Sequence, residues 1–91
     1  MTSKRVIFTG HVQNVGFRYT VKDLARAFDV CGWVKNLPDG TVELQVTGEL
    51  GEVNCFIKEI AGESNVAHHI KSFMAETIPL IDNVTGFRIV G

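Results

Sequence analysis

Apolar positions recur along the chain with two different periods, and the changes of period outline the predicted elements. The short apolar run Arg5–Phe8 is typical of a strand, and Thr9 and Gly10 end it. One face of a predicted helix follows, with the apolar spacing i, i+4, i+7, i+8 and i+11 at Phe17, Val21, Leu24, Ala25 and Phe28. We therefore expect a strand, a loop and a helix that stops at Gly32.

A hairpin is predicted next. Trp33–Leu37 has the composition of a strand, and the turn residues Pro38, Asp39 and Gly40 follow it. In Thr41–Thr47 every second residue is apolar, as in a strand with one buried face. The two segments thus predict paired antiparallel strands.

The second half of the chain predicts another helix and two more strands. The helical face consists of Val53, Phe56, Ile57 and Ile60. We expect Gly62 to close this helix. His68–Ala75 and Phe87–Val90 are strand candidates, and adjacent His68 and His69 are expected on opposite faces of the first of them.

The order strand, helix, strand, strand, helix, strand, strand is the split βαβ arrangement with one extra strand. It predicts an α+β, ferredoxin-like sandwich, with a five-stranded, mostly antiparallel sheet and two helices packed on one face. We expect residues 1–91 to form a single domain. The other face of the sheet should be covered by polar side chains, namely Lys35, Glu43, Gln45, His69 and Lys71.

Charge and hydropathy narrow the possible partners. Nine Lys and Arg nearly balance ten Asp and Glu, and no run of like charges interrupts the chain, which argues against a nucleic-acid partner. No apolar stretch is long enough to span a bilayer, and the basic N-terminus breaks at Gly10 before a signal-peptide core could form. We expect a cytoplasmic protein with no membrane partner.

The metal-ligating residue types form no pattern of their own. Cys31 and Cys55 lack a CxxC spacing and are expected to be small, reduced, buried hydrophobic residues. His11, His68 and His69 make no recognisable ligand set, so we expect no metal site.

The stretch "GHVQNVGFR", residues 10–18, joins the first strand to the first helix. Gly10, Gly16 and Asn14 permit positive φ, and such a loop can point successive N–H groups at an anion. Arg18 in the first helical turn adds a planar cation that suits phosphate or carboxylate. The loop has no GK[ST], and Val12 stands where a Cys-x5-Arg phosphatase would place its thiolate. From these residues alone, an ordinary connection with a solvated arginine stays open.

Together with "GWVKNLPDGTVE" (Gly32–Glu43), this stretch resembles the two signature motifs of the acylphosphatases, which hydrolyse carboxyl-phosphate mixed anhydrides. The resemblance implies an enzyme that cleaves small acyl phosphates to carboxylate and inorganic phosphate by direct attack of water, without metal or organic cofactor. We expect the protein to be a monomer. It implies that Arg18 and Asn36 are catalytic, with Asn36 positioning the water. The phosphate-binding positions that it implies are His11, Val12, Gln13, Asn14, Val15, Gly16, Phe17 and Arg18.

The chain departs from the family pattern at two positions. Asn14 and Asp29 stand where the family usually has glycine, and both residue types tolerate positive φ better than other non-glycines. We therefore expect the backbone course to be kept at both sites. Apart from the resemblance, Asn36 would be an ordinary residue flanking the Pro38 turn.

Two other function classes remain. The same domain could be a phosphate-binding or regulatory module without turnover. An RNA-binding sheet of this topology is the weaker alternative, because "TVELQVT" lacks the basic residue, glycine and interleaved aromatics of such a surface.

Overall fold

The computed structural model describes residues 1–81 and 84–90. Its main elements are β1 (Thr2–Gly10), α1 (Phe17–Leu24), β2 (Val30–Asn36), β3 (Val42–Gly48), α2 (Leu50–Lys58), β4 (Ile70–Ile78) and β5 (Phe87–Val90). The predicted order of strands and helices is confirmed, and β5 has its predicted bounds. In the part of the chain that is described, no helix is long and apolar enough to cross a membrane.

The strands form one five-stranded sheet in the order β4-β1-β3-β2-β5. β1 is antiparallel to β3 and β4, β3 is antiparallel to β2, and only the β2–β5 pair is parallel. This is the predicted ferredoxin-like α+β fold. Because β1 and β2 both run antiparallel to β3, their final residues Gly10 and Asn36 lie at the same end of the sheet.

Both helices bury their apolar stripes against one face of the sheet. Alternating residues of the central strands supply the floor, and these are Val6, Phe8, Val34, Val42, Leu44 and Val46. Phe17 and Val21 of α1, and Val53 and Phe56 of α2, cover them. Each such side chain contributes roughly 1.5–3 kcal/mol on full burial, so the two periods seen in the sequence account for the layer architecture.

The first helix ends earlier than its apolar stripe predicts. A single 3₁₀ turn at Ala25–Ala27 follows α1, and Phe28 then adopts an extended conformation with φ −128° and ψ 150°. Asp29 does not use its tolerance for positive φ, since Asn14 is the one non-glycine with positive φ in the described residues. The chain is already extended at Phe28, and the Asp29 N–H donates to Oε1 of Glu52 at 2.8 Å instead.

The second helix runs past its predicted end. A π-helical turn, Glu59–Glu63, continues α2 through Gly62, and the chain becomes extended only at Ser64. The Ser64 N–H donates to the Glu59 carbonyl, five residues earlier, at 2.9 Å. This π-type hydrogen bond ends the helix, which continues through Gly62.

The open face of the sheet carries the predicted Lys35, Glu43 and Gln45. Arg5 Nε donates to Oε2 of Glu43 at 2.6 Å, and Gln45 Nε2 donates to the same oxygen at 2.9 Å. Burial alone would raise the pKa of the Glu43 carboxyl, but the hydrogen bonds from Gln45 and Arg5 hold it below its ordinary value. The open face of the sheet therefore carries hydrogen-bonded polar side chains in place of a second layer of helices.

His69 and Lys71 do not both follow the prediction. Lys71 lies exposed in β4, but His68 and His69 precede that strand in a 3₁₀ turn, closed by the His69 N–H on the Val66 carbonyl at 3.0 Å. Their rings lie on the same side, with centroids 4.0 Å apart, so the expectation of opposite strand faces is wrong. The ring of His11 packs 5.7 Å from that of His69.

The two cysteines are free. Cys31 is half-buried, as a residue of β2, whereas Cys55 is exposed on α2. The prediction of burial is wrong for Cys55, because the buried stripe of this helix runs through Val53, Phe56 and Ile57 and leaves the position between them facing outward.

Acidification tests the histidine cluster. Burial lowers the pKa of His69 below its ordinary value of 6.5, and the charges of His68 and His11 lower it further. The unfolded chain therefore binds this proton more tightly, so the contribution of His69 to stability is complete above pH 6.5 and is lost as the pH falls through the lowered pKa. We expect the urea midpoint to fall between about pH 7.5 and about pH 5, and to fall less in His69→Gln. Equal losses in the two proteins would contradict this prediction.

Candidate active site

The loop that follows β1 begins with a close approach between two segments of the backbone. Gly10 has φ 133°, and a Cβ there would collide with the carbonyl oxygen of His69. The N–H of His11 then donates to that same carbonyl at 3.0 Å. Only glycine fits this geometry, and it fixes the start of the loop against the start of β4.

Two apolar side chains anchor the loop in the core. Val12 and Phe17 are 1% and 2% exposed, and the Phe17 ring lies 5.1 Å from that of Phe8. Val15 is half-buried and packs against the same core. These contacts therefore hold the backbone between the two anchors against the end of the sheet.

Gln13 ties the loop to the β2–β3 hairpin. Its Nε2 donates to the carbonyls of Leu37 and Thr41, at 2.8 and 2.9 Å. Leu37 and Thr41 also close the hairpin turn, since the Leu37 N–H donates to the Thr41 carbonyl at 2.9 Å. One side-chain amide thus joins the two motifs that are far apart in the sequence.

The backbone inside the loop has the predicted left-handed positions. Asn14 has φ 64°, which confirms the expectation for this residue, and Gly16, which precedes the first residue of α1, has φ 76°. Asparagine is among the few residues that occupy this region with a small penalty.

The loop also leaves hydrogen-bond donors free. In residues 1–81 and 84–90, no N–H from Val12 to Tyr19 donates a hydrogen bond to another protein group. His11 differs, because its N–H is already bound to His69. The free donors run from the loop into the first turn of α1, where the helix dipole adds positive potential.

Six of these eight residues line a small cavity of about 130 Å³ together with Asn36, namely Val12, Asn14, Gly16, Phe17, Arg18 and Tyr19. Arg18 and Asn36, which the resemblance names as catalytic, therefore line one cavity. Arg18 is half-buried, and in the described part of the chain it makes no ion pair or side-chain hydrogen bond. The Oδ1 of Asn36 is buried and also has no partner in the described residues.

The lining can bind an anion and hold a neutral hydrogen-bonding molecule. Its polar groups are backbone N–H donors, the guanidinium of Arg18, the amides of Asn14 and Asn36 and the hydroxyl of Tyr19, and no carboxylate, thiol or imidazole is present in it. The nearby Asp39 accepts hydrogen bonds from the Oγ1 and N–H of Thr41, which lower the pKa of its carboxyl, and it does not line the cavity. No described group of three His, Cys, Asp or Glu could hold a metal ion.

Other predicted positions serve the loop differently. His11, Gln13 and Val15 do not line the cavity. Gln13 uses its side chain on the hairpin, and Val15 is packed against the core. Conversely, Tyr19 lines the cavity and was not predicted, although its place one residue after Arg18 in the first helical turn was a signal for it.

Comparison with known proteins identifies the family and supports the fold. The acylphosphatase family model matches residues 4–89. An acylphosphatase of Chlorobaculum tepidum is 50% identical over 93 aligned residues, which cover 99% of each chain. The crystal structure of acylphosphatase from Bacillus subtilis superimposes with a TM-score of 0.87 at 30% identity and covers 100% of both chains.

A longer protein contains a similar domain. The crystal structure of HypF from T. kodakarensis superimposes with a TM-score of 0.85 at 27% identity, and the match covers 100% of this chain and 12% of that one. The family match and the relatives that align over their full length agree with the resemblance of the two sequence motifs. The chain belongs to the acylphosphatase family and is a hydrolase of acyl phosphates, which it cleaves to a carboxylate and inorganic phosphate.

Proposed function

We propose that the free N–H groups from Val12 to Phe17, together with Arg18, bind the phosphoryl group of an acyl phosphate, and that Asn36 holds the attacking water. The observation that carries this proposal is that Asn36 lines the same cavity as Arg18 while its buried Oδ1 has no described partner. A phosphate dianion needs donors and no acceptor. A water molecule does need an acceptor, and Asn36 is the group placed to be one.

The reaction then needs little chemistry from the protein. The water oxygen attacks phosphorus, the bond from phosphorus to the acyl oxygen breaks, and the carboxylate leaves with the bonding electrons. A carboxylate is a good leaving group, so no general acid is required. An oxygen of the phosphoryl group accepts the proton of the water, and the N–H groups and Arg18 stabilise the charge on the equatorial oxygens.

The alternative function is a module that binds phosphate without turnover, and HypF contains a similar domain within a longer chain. Asn36 distinguishes the two functions, because its acceptor oxygen receives a hydrogen bond only if a water or another donor is bound beside the phosphate. We therefore favour the enzyme.

We extend the proposal to the setting of the enzyme. The reaction as written uses no metal or organic cofactor. Free Cys31 and exposed, free Cys55 suit a reducing compartment, and we propose that the protein acts in the cytoplasm as a monomer, without nucleic-acid or membrane partners.

Substituting the two catalytic residues tests their separate roles. Asn36→Ala removes only the contact with water, so turnover of benzoyl phosphate should fall roughly 10²–10³-fold while inhibition by inorganic phosphate stays nearly the same. Steady-state hydrolysis with phosphate as a competitive inhibitor measures both quantities. A folded Asn36→Ala protein that turns over at the parental rate would reject the water-positioning role.

Arg18 is expected to contact the phosphate in the ground state and in the transition state. Arg18→Gln should therefore weaken phosphate inhibition and also lower turnover, by at least about 100-fold. Arg18→Lys is the matched control, because it keeps the charge and loses the planar fork, and it should resemble Arg18→Gln more than the parent. Urea midpoints of all variants separate loss of function from loss of fold.

The left-handed Asn14 gives a test of the backbone cradle. Asn14→Gly keeps φ 64° accessible and should fold and bind phosphate at least as well as the parent. Asn14→Val should strain the loop by about 1–2 kcal/mol and weaken phosphate binding. Equal phosphate affinity of the Val variant and the parent, measured by competitive inhibition, would show that the conformation of Asn14 does not matter for binding.

Metal dependence tests the charge stabilisation that we assign to the loop. Since the N–H groups and Arg18 face the phosphoryl oxygens, excess chelator should leave the rate of acetyl phosphate hydrolysis unchanged. Loss of the rate on chelation, with recovery on addition of Mg²⁺, would overturn this mechanism.

A further inference from the structure

Tyr19 occupies an unusual place at the mouth of the cavity. It follows Arg18 in the first turn of α1 and lines the same cavity, yet 74% of its surface is exposed. The buried stripe of α1 runs through Phe17 and Val21, so Tyr19 contributes nothing to the core. Of the described large apolar side chains that are exposed, Tyr19 alone lines this cavity.

The size of the cavity determines what else can enter it. Its volume is about 130 Å³. Pockets that enclose a whole drug-sized ligand occupy about 300–1,000 Å³. A bulky acyl group, such as an aromatic one, therefore extends beyond the cavity to its rim, where Tyr19 lies exposed.

On the basis of the proposed function, we propose that Tyr19 is the residue that contacts the acyl group and that it selects acyl phosphates with an aromatic or other flat apolar acyl group. A tyrosine ring has a large apolar face and only two side-chain torsions to fix, so it binds such a group with a small loss of conformational entropy. The acetyl group has only a methyl to place on this ring. We therefore expect Tyr19 to matter more for a benzoyl group than for an acetyl group.

The first experiment compares kcat/KM for benzoyl phosphate and acetyl phosphate in the parent and in Tyr19→Ala. The parent should prefer benzoyl phosphate, and Tyr19→Ala should reduce the ratio of the two values by about three- to tenfold, the range expected for loss of one aromatic contact. Tyr19→Phe should keep most of the preference, because the ring is retained and only the hydroxyl is lost. Met74→Ala is the control, since Met74 is 79% exposed on β4 and does not line the cavity.

A second measurement separates this proposal from the proposed hydrolysis. Benzoylphosphonate and acetylphosphonate have a carbon–phosphorus bond in place of the scissile bond, and their dissociation constants can be measured by NMR titration without turnover. Selective binding of benzoylphosphonate that is lost in Tyr19→Ala, in a protein that hydrolyses neither acyl phosphate, would support the acyl contact and reject the enzyme. An unchanged ratio of dissociation constants in folded Tyr19→Ala would overturn the role of Tyr19, whatever the rate of hydrolysis.

Discussion

The two hydrogen bonds from the side chain of Gln13 hold the active site together. They connect the loop after β1 to the carbonyls of Leu37 and Thr41, which form the hairpin turn between β2 and β3. The loop carries the free N–H groups and leads to Arg18, and the strand that enters the hairpin ends at Asn36. Because β3 separates β1 from β2 in the sheet, no main-chain ladder joins these two segments, and a side chain must span the gap. The positions of Arg18 and Asn36 relative to each other therefore depend on this amide group together with the core packing of Val12 and Phe17.

The site keeps its donors unsatisfied in a chain whose net charge is −1. Eight successive N–H groups, Val12 to Tyr19, have no described protein partner, and the arginine among them has no described counter-ion. Elsewhere the molecule satisfies its buried charges closely, as Glu43 illustrates with Arg5 and Gln45. A left-handed non-glycine at Asn14 adds to the local strain. Such a concentration of free donors and strain in one loop is understandable if an anion completes the structure.

Local patterns predicted the layers of this fold and the chemistry of the loop, but contacts between distant segments could not be predicted. The 3.6- and two-residue periods located both helices and the sheet face, and the positive φ of Asn14 followed from its residue type. Gln13 binds carbonyls 24 and 28 positions away, and nothing in its local sequence indicates that partner. Asn36 became a candidate only through the family resemblance. The wrong predictions for His68 and Cys55 share one cause, because the packing of neighbouring segments decides how the side chains at both positions are oriented.

The composition of the cavity also constrains where the proton goes during the reaction. Asn36 offers a neutral amide oxygen, which can accept a hydrogen bond but cannot take up a proton near neutral pH. The guanidinium of Arg18 offers hydrogen-bond donors and no acceptor, so it gives no help as a base. With no carboxylate or imidazole in the lining, the basic atoms nearest the attacking water are the phosphoryl oxygens of the substrate itself. A site built in this way is confined to substrates whose leaving group departs without protonation, and a mixed anhydride of a carboxylic and a phosphoric acid meets that requirement, whereas an ordinary phosphate ester, with an alkoxide to expel, does not.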